Sequence, residues 1–232
     1  MRTFIFCLLA TIVLAATLVI QPESAKTDAQ NSHGMPWEIA IKNNQSQVFG
    51  LTLANSTLNS STLGDAIEQF GTDNKLAVLA KPDQLGALEL FYARFRTGPL
   101  QGKLIISADA SAADISAIKQ APGKQEYLDN GTKKFQLNDE QQLKALTLTI
   151  KSLTFAPSAR LDDTLIRERF GKPSTIISVS QQVNHYIYES LGLTVRIDTK
   201  GKDMLHYVSP AAMPELITAL KLEASQAMEN SR

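Results

Sequence analysis

Few side chains in this sequence belong to the types that catalyse reactions or bind metals. The histidines are His33, His185 and His206, and the last two lie on predicted strands that a third strand separates. A metal site would need further ligands, since zinc is held by clusters of His, Cys and carboxylate side chains. The adjacent Asp162 and Asp163 suit acid–base chemistry, but an aspartate before a short helix is also a typical N-cap. The motifs HExxH and GxSxG and a phosphate-binding loop do not occur, so we predict no cofactor and no metal.

Basic and aromatic side chains indicate candidate contact surfaces instead. Arg94 and Arg96 follow Phe91 and Tyr92 on one predicted strand. Basic residues beside aromatic ones can bind phosphate or glycan, but a strand end that reaches solvent has the same pattern, so both interpretations stay open. Trp37 lies where a polar segment meets the folded part of the chain. It is a candidate packing anchor or interface residue.

A polar row on the last predicted sheet is a further candidate surface. A two-residue loop between its central strands would put His185, Arg196 and Asp198 on one face. The core face would then carry Tyr186, Tyr188, Leu193, Val195 and Ile197. The next turn leaves two registers open. A two-residue loop there would send His206 into the core, and a three-residue loop would send Leu205 there.

Composition excludes several classes of protein. The 232 residues include 23 Lys and Arg, 23 Asp and Glu, and one cysteine. Balanced charge gives no electrostatic footprint for nucleic acid. A single cysteine excludes a disulfide framework and a cysteine-ligated zinc site. The hydrophobic fraction of 44% and the charged fraction of 20% are those of a folded globular protein.

The first twenty residues differ from the rest of the chain. Residues 3–20 run for 18 positions without a charge, and Arg2 precedes them. A helix of that length spans about 27 Å, close to the apolar thickness of a bilayer. The run is long for a cleaved signal peptide, so we favour an uncleaved anchor over a cleaved signal. Because basic residues stay on the cytoplasmic side, we expect a single-pass inner-membrane protein with its body in the periplasm and residues 21–34 as a flexible tether.

Two segments of the body repeat each other at an offset of about 100 residues. Residues 50–71 and 152–171 each contain a Leu-Thr strand end, a polar loop, a short helix and a Phe-Gly stop. The candidate N-caps are Ser61 or Thr62 and Asp162 or Asp163. Gly71 and Gly171 fit the left-handed position that ends a helix.

This pattern predicts an α+β fold of two tandem repeats, each with a helix, an antiparallel meander of three or four strands and a closing helix. The links between strands are too short for parallel crossovers. We assign residues 35–120 to the first repeat and 147–226 to the second, with a hairpin and helix inserted at 121–146 and a disordered tail at 227–232. Units of this size are marginal alone, so the halves should pack together.

Motifs of the second repeat carry a family resemblance. They are a Leu-Asp-Asp start, a helix ending in Phe-Gly-Lys-Pro, a strand with His-Tyr-Ile-Tyr, and Gly-Leu-Thr-Val. The run from Leu161 to Lys202 thereby resembles the SmpA/OmlA (BamE-like) fold, and residues 49–108 look like a diverged second copy. The body is also similar to a family of membrane-anchored proteobacterial proteins with a Pro-Trp-Glu start, here at residues 36–38. The resemblance implies a periplasmic, non-catalytic, partner-binding module, although the lipobox cysteine of lipoproteins is missing.

Two classes of function follow from the sequence. The leading hypothesis is a non-catalytic, membrane-tethered module that binds another envelope protein through the polar sheet face or an exposed edge strand. The alternative is a small-molecule or lipid-binding domain with an apolar pocket between the repeats. A hydrolase ranks third, because it would need Asp, His and Ser or Tyr to converge in one cleft.

Overall fold

Thirteen strands and five α-helices are found in residues 33–55, 59–128 and 131–229, which a computed structural model describes. The strands are β1 (Ala40–Lys42), β2 (Gln45–Val48), β3 (Leu51–Thr52), β4 (Lys75–Ala80), β5 (Ala87–Thr97), β6 (Leu100–Ala108), β7 (Lys124–Tyr127), β8 (Lys133–Gln136), β9 (Ile150–Pro157), β10 (Thr175–Ser178), β11 (Val183–Tyr188), β12 (Leu193–Asp198) and β13 (Met204–Tyr207). The helices are α1 (Leu63–Phe70), α2 (Ala112–Gln120), α3 (Asp139–Leu146), α4 (Asp163–Phe170) and α5 (Met213–Glu229). The fold is α+β, as predicted.

Ten of these strands form one antiparallel sheet in the order β10-β11-β12-β13-β9-β6-β5-β4-β8-β7. The prediction of two separate meanders is wrong, because β9 pairs with β13 on one side and with β6 on the other. A strand edge with unpaired N–H and C=O groups is costly to bury. By pairing with the last strand of each half, β9 removes an edge from both. Below, the first half means β4–β6 with α1 and α2, and the second half means β10–β13 with α4 and α5.

A small sheet has the strand order β1-β2-β3. Its strand β3 lies in the first repeated segment, at the position that β9 has in the second. The two repeated segments therefore have different partners. Phe49, between β2 and β3, packs edge-on against Phe95 of the first half, Tyr207 of the second half and Phe155 of β9. The small sheet thus fills the main core at the junction of the halves.

The two faces of the large sheet are covered differently. The main core lies on one face, and helices α1 to α4 contribute to it through Leu63, Ala66, Ile115, Ile118, Ala145 and Ile166. A second core lies on the opposite face of the second half, where α5 covers Ile177, Ile187 and Val208. Burial of an aliphatic side chain contributes about 1.5–3 kcal/mol, so these cores fix the positions of the helices.

The local signals for α1 and α4 hold. The side chain of Thr62 accepts a hydrogen bond from the N–H of Asp65, and Asp162 caps α4 by accepting from the N–H of Leu165. Gly71 and Gly171 end the helices at φ of 85° and 79°, a range that favours glycine. Their ψ values of −179° and −156° differ from the left-handed cap that we predicted.

The same aromatic contact follows each helix. Phe70 packs against Tyr92 with ring centroids 5.9 Å apart, and Phe170 packs against Tyr188 at 5.6 Å. Each tyrosine hydroxyl then donates to the carbonyl of the glycine that ends the helix, over 3.0 Å to Gly71 and 3.2 Å to Gly171.

The second half resolves the open register. Tyr186 pairs with Val195 and Val195 with Leu205, so these three side chains share the core face. The loop between β12 and β13 spans residues 199–203, which sends Leu205 and not His206 into the main core. Helix α5 continues to Glu229, so residues 227–229 of the predicted disordered tail are helical.

The N-terminal predictions fall mostly on residues that the structure does not describe. The predicted anchor at 1–20 lies outside the described residues, and no helix of the described part is long and apolar enough to cross a membrane. At the end of the predicted tether, the His33 ring stacks on Phe95 at 5.4 Å and meets Phe70 edge-on at 4.8 Å. The packed body therefore includes His33.

Candidate functional site

The predicted polar face of the second half is covered by α5. His185 retains 7% of its surface and Asp198 retains 9%, so neither can form the open contact surface that the sequence suggested. Because the second core lies on this side, α5 packs directly over the row that contains His185. Burial, which outweighs the nearby Glu223 charge, lowers the pKa of His185. Its Nδ1 is a buried polar atom without a hydrogen-bond partner in the described residues.

Arg196 and Asp198 stabilise the loop that joins β12 to β13. The Arg196 guanidinium forms an ion pair with Asp198 over 2.6 Å. The same carboxylate accepts hydrogen bonds from the backbone N–H groups of Gly201 and Lys200, and these bonds hold its pKa below the usual range. Arg160, which lies between β9 and α4, donates hydrogen bonds to the backbone carbonyls of Asp198 and Gly201. These contacts account for Arg196 and Asp198 without a ligand.

The two arginines of the first half lie at an irregular point of the sheet. The register of β5 against β6 shifts between Tyr92 and Phe95, which places Ala93 and Arg94 in a bulge. Arg94 and Arg96 are both exposed, and Arg94 pairs with the exposed Asp73 at 3.2 Å. An exposed pair of this kind contributes little to stability. Neither arginine lines any of the main grooves among the described residues.

Trp37 packs at the start of the body. The Arg169 guanidinium lies 4.4 Å from the centre of its ring, and the neighbouring Pro36 carbonyl accepts a 2.9 Å hydrogen bond from Tyr207. Helix α4, which carries Arg169, contributes to the main core. Trp37 therefore lies on the side of the sheet opposite to α5 and joins the N-terminal segment to the second half.

The first half leaves one face of its sheet open. Leu79, Phe91 and Ile105 are half-buried and belong to neither core of the described residues. Strand pairing places them on the face that α5 covers farther along, because the row of Ile105 continues through Thr154 to His206 and Ile187. We call this surface the open face; it consists of Ala77, Leu79, Ala87, Glu89, Phe91 and Ile105.

Glu89 lies in the middle of the open face. It pairs across the strands with Ala77 on one side and Ser107 on the other. Its carboxylate makes no hydrogen bond or ion pair with any residue that the structure describes. Burial among these neighbours raises its pKa above the usual range. Lys75, the nearest base on this face in the strand register, lies one row away beside Phe91 and forms no ion pair with Glu89.

A groove begins where the open face meets α5. Its volume is about 450 Å³, and its lining includes Asn55, Asp109, Ser152, His206, Glu215 and Leu216. Ser152 pairs with Ser107, which in turn pairs with Glu89, so this junction groove and the open face form one continuous surface. The groove lies between residues of both halves, where the alternative hypothesis expects a pocket, but polar side chains make up much of its lining.

The junction groove also brings together the residue types of a hydrolase, but not their geometry. Asp109, Ser152 and His206 all line it. A nucleophile must contact its base, yet Nδ1 of His206 lies 2.8 Å from the hydroxyl of Thr154, and no hydrogen bond joins His206 to Ser152. Burial, together with the neighbouring His185, lowers the pKa of His206 to about 4. The ring is therefore neutral at pH 7 and is a weak base.

No protein-family model, curated protein or solved structure matches this chain. The geometry of the described residues must therefore carry the functional argument. Within these residues no group of three or more His, Cys, Asp or Glu side chains could hold a metal ion.

Sequence reasoning did not identify the open face or the junction groove. A signal was present in β5, where Ala87, Glu89 and Phe91 alternate with buried residues and put one acid between apolar side chains. That alternation identifies the two faces of the strand, but not which of them a helix covers.

Proposed function

We propose that the protein is a non-catalytic binding module whose partner occupies the open face. The main support is the set of half-buried apolar side chains that belong to neither core, Leu79, Phe91 and Ile105. Contiguous apolar surface outside a core marks interaction sites in soluble domains. The resemblance to BamE-like modules agrees with this class of function.

Pull-down from native membranes tests this function. Chemical cross-linking of the tagged full chain should recover a specific envelope protein, and Ile105→Arg should abolish its recovery. Leu143→Arg is the matched control, since Leu143 is 70% exposed and lies on α3, which packs on the opposite face. Equal recovery with both variants, or no specific protein at all, would refute the proposal.

We infer further that residues 1–20 anchor the body to the inner membrane and that the two halves are tandem repeats. The 18 uncharged residues support the anchor. The shared Phe–Tyr–Gly contacts of the halves support the repeat. Carbonate extraction of membranes tests the anchor: the full chain should stay in the pellet, whereas release into the supernatant would contradict an integral span.

A second candidate function is the binding of a small molecule or lipid in the junction groove. Its volume of about 450 Å³ lies within the usual range for small-molecule sites. Native mass spectrometry of the purified full chain should then detect a retained ligand, which Leu216→Trp displaces. Leu222→Trp is the control, because Leu222 lies on the same helix and is 60% exposed. Failure to detect a ligand in the wild type would count against this candidate.

A further inference from the structure

The covered half shows what kind of element fits this side of the sheet. Helix α5 places Leu216, Ile217 and Leu220 against the second core. Its acidic Glu223 acts electrostatically on His185, which lies on the sheet beneath it. The contact therefore consists mainly of an apolar helix face packed on the sheet.

The open half has a similar apolar surface, with one acid in its middle and the bases Lys75 and Lys134 at its border. Leu79, Phe91 and Ile105 provide the apolar area, and the only acid of the open face is Glu89. A half-buried carboxylate without a partner is unfavourable, because burial removes water without supplying a counter-charge. An occupant that brings a base to Glu89 would remove this cost and bury the apolar side chains together.

We propose that the open face binds an amphipathic helix of a partner protein, with a Lys or Arg side chain placed over Glu89 among apolar residues. This inference rests on the proposed function and adds the chemistry of the partner. Helix-in-groove recognition uses an apolar stripe on the partner helix, and charge complementarity selects the partner and its register.

Charge also argues against other occupants. A second copy of the chain, packed face to face about a two-fold axis that passes near Glu89, would bring two Glu89 carboxylates together. Like charges in a dry interface cost several kcal/mol. An anionic lipid surface would bring no base to Glu89. A partner helix with a base satisfies both the apolar side chains and Glu89.

Site-specific photo-cross-linking tests the partner's chemistry. A photo-reactive residue replaces Ile105 in the full chain in native membranes, and mass spectrometry sequences the cross-linked peptide. We expect an amphipathic helical segment with a Lys or Arg within one turn of the cross-linked residue. The control position is Ile41 on β1, an exposed apolar residue of the small sheet.

Charge variants complete the test. Glu89→Lys should lower the cross-link yield about tenfold, and replacement of the partner's base by Glu should restore it. Glu89→Gln, which keeps the size of the side chain, should lower the yield less and covers the case in which Glu89→Lys does not fold. A cross-linked segment without a base, or a yield that Glu89→Lys and Glu89→Gln leave unchanged, would overturn the partner's chemistry while the docking site stands. A yield at Ile105 no higher than at Ile41 would overturn the proposed function and this inference with it.

Discussion

The two halves of the sheet share local contacts and differ in the cover of one face. In both halves a capped helix ends in Phe-Gly, and a strand tyrosine packs on the phenylalanine and bonds to the glycine carbonyl. In the second half α5 covers the other face of the sheet, whereas α2 joins the main core and leaves that face of the first half open. Similar local sequence thus forms similar contacts between helix end and strand. The placement of the last helix decides where a surface remains uncovered.

Truncation of two isoleucines in the same row gives the largest expected contrast. Ile187 is fully buried beneath α5, so Ile187→Ala should lower the free energy of unfolding by about 4 kcal/mol. Ile105 lies on the open face, and Ile105→Ala should cost only about 1–2 kcal/mol because its side chain is only partly buried. Chemical denaturation of the two variants measures the difference. Equal losses would mean that the open face is covered in the isolated protein.

Acidification should also distinguish the two halves. Burial depresses the pKa of His206 to about 4, so the unfolded chain binds a proton from pH 6.5 downward while the native ring stays neutral. Stability is complete above pH 6.5 and falls toward pH 4, by at most about 3 kcal/mol. The pKa of Glu89 is raised, so its protonation in the native state has the opposite sign and stabilises the fold as pH falls. Thermal unfolding from pH 7 to pH 4 should show a decline that His206→Gln flattens and Glu89→Gln steepens; a decline that neither variant alters would contradict the assignment.

Much of the local structure could be predicted, because each signal lies within a few residues. The bounds of β4 and β12 can be predicted from the sequence, because turn residues flank both strands. The caps at Thr62 and Asp162 were predictable because a cap needs only its own helix. The hairpin register of Tyr186 against Val195 follows from the alternation of side chains.

The junction of the halves and the cover of the faces could not be predicted, because both depend on residues far apart in the chain. Nothing local to β9 states that it will pair with β6 as well as β13. An alternating strand marks His185 as pointing away from the core, and only the docking of α5 about 30 residues later buries it. The same limit applies to the candidate site. His185, Arg196 and Asp198 were predicted on the correct face of the sheet, but the exposed part of that face lies in the first half.

The shared tyrosine contacts predict a smaller and symmetric effect. Tyr92→Phe and Tyr188→Phe each remove one hydroxyl bond to the glycine that ends a helix. Each should lower the free energy of unfolding by about 1 kcal/mol, the usual net value of such a bond. Denaturation curves of the two variants should agree. A lower free energy of unfolding in only one variant would show that the two tyrosine contacts are not equivalent.

The smallest expected effect is that of Glu89, which should respond to neutralisation with the opposite sign to Asp198 on the same side of the sheet. Asp198 accepts backbone hydrogen bonds and pairs with Arg196, so Asp198→Asn should destabilise the protein. Glu89 has no such partner in the described residues, so Glu89→Gln removes an uncompensated charge and should raise the free energy of unfolding by about 0.5 kcal/mol. If Glu89 stabilised the fold, Glu89→Gln would instead lower the free energy of unfolding. A small gain in the isolated protein, together with weaker partner capture, would mean that Glu89 serves binding at the expense of the free fold.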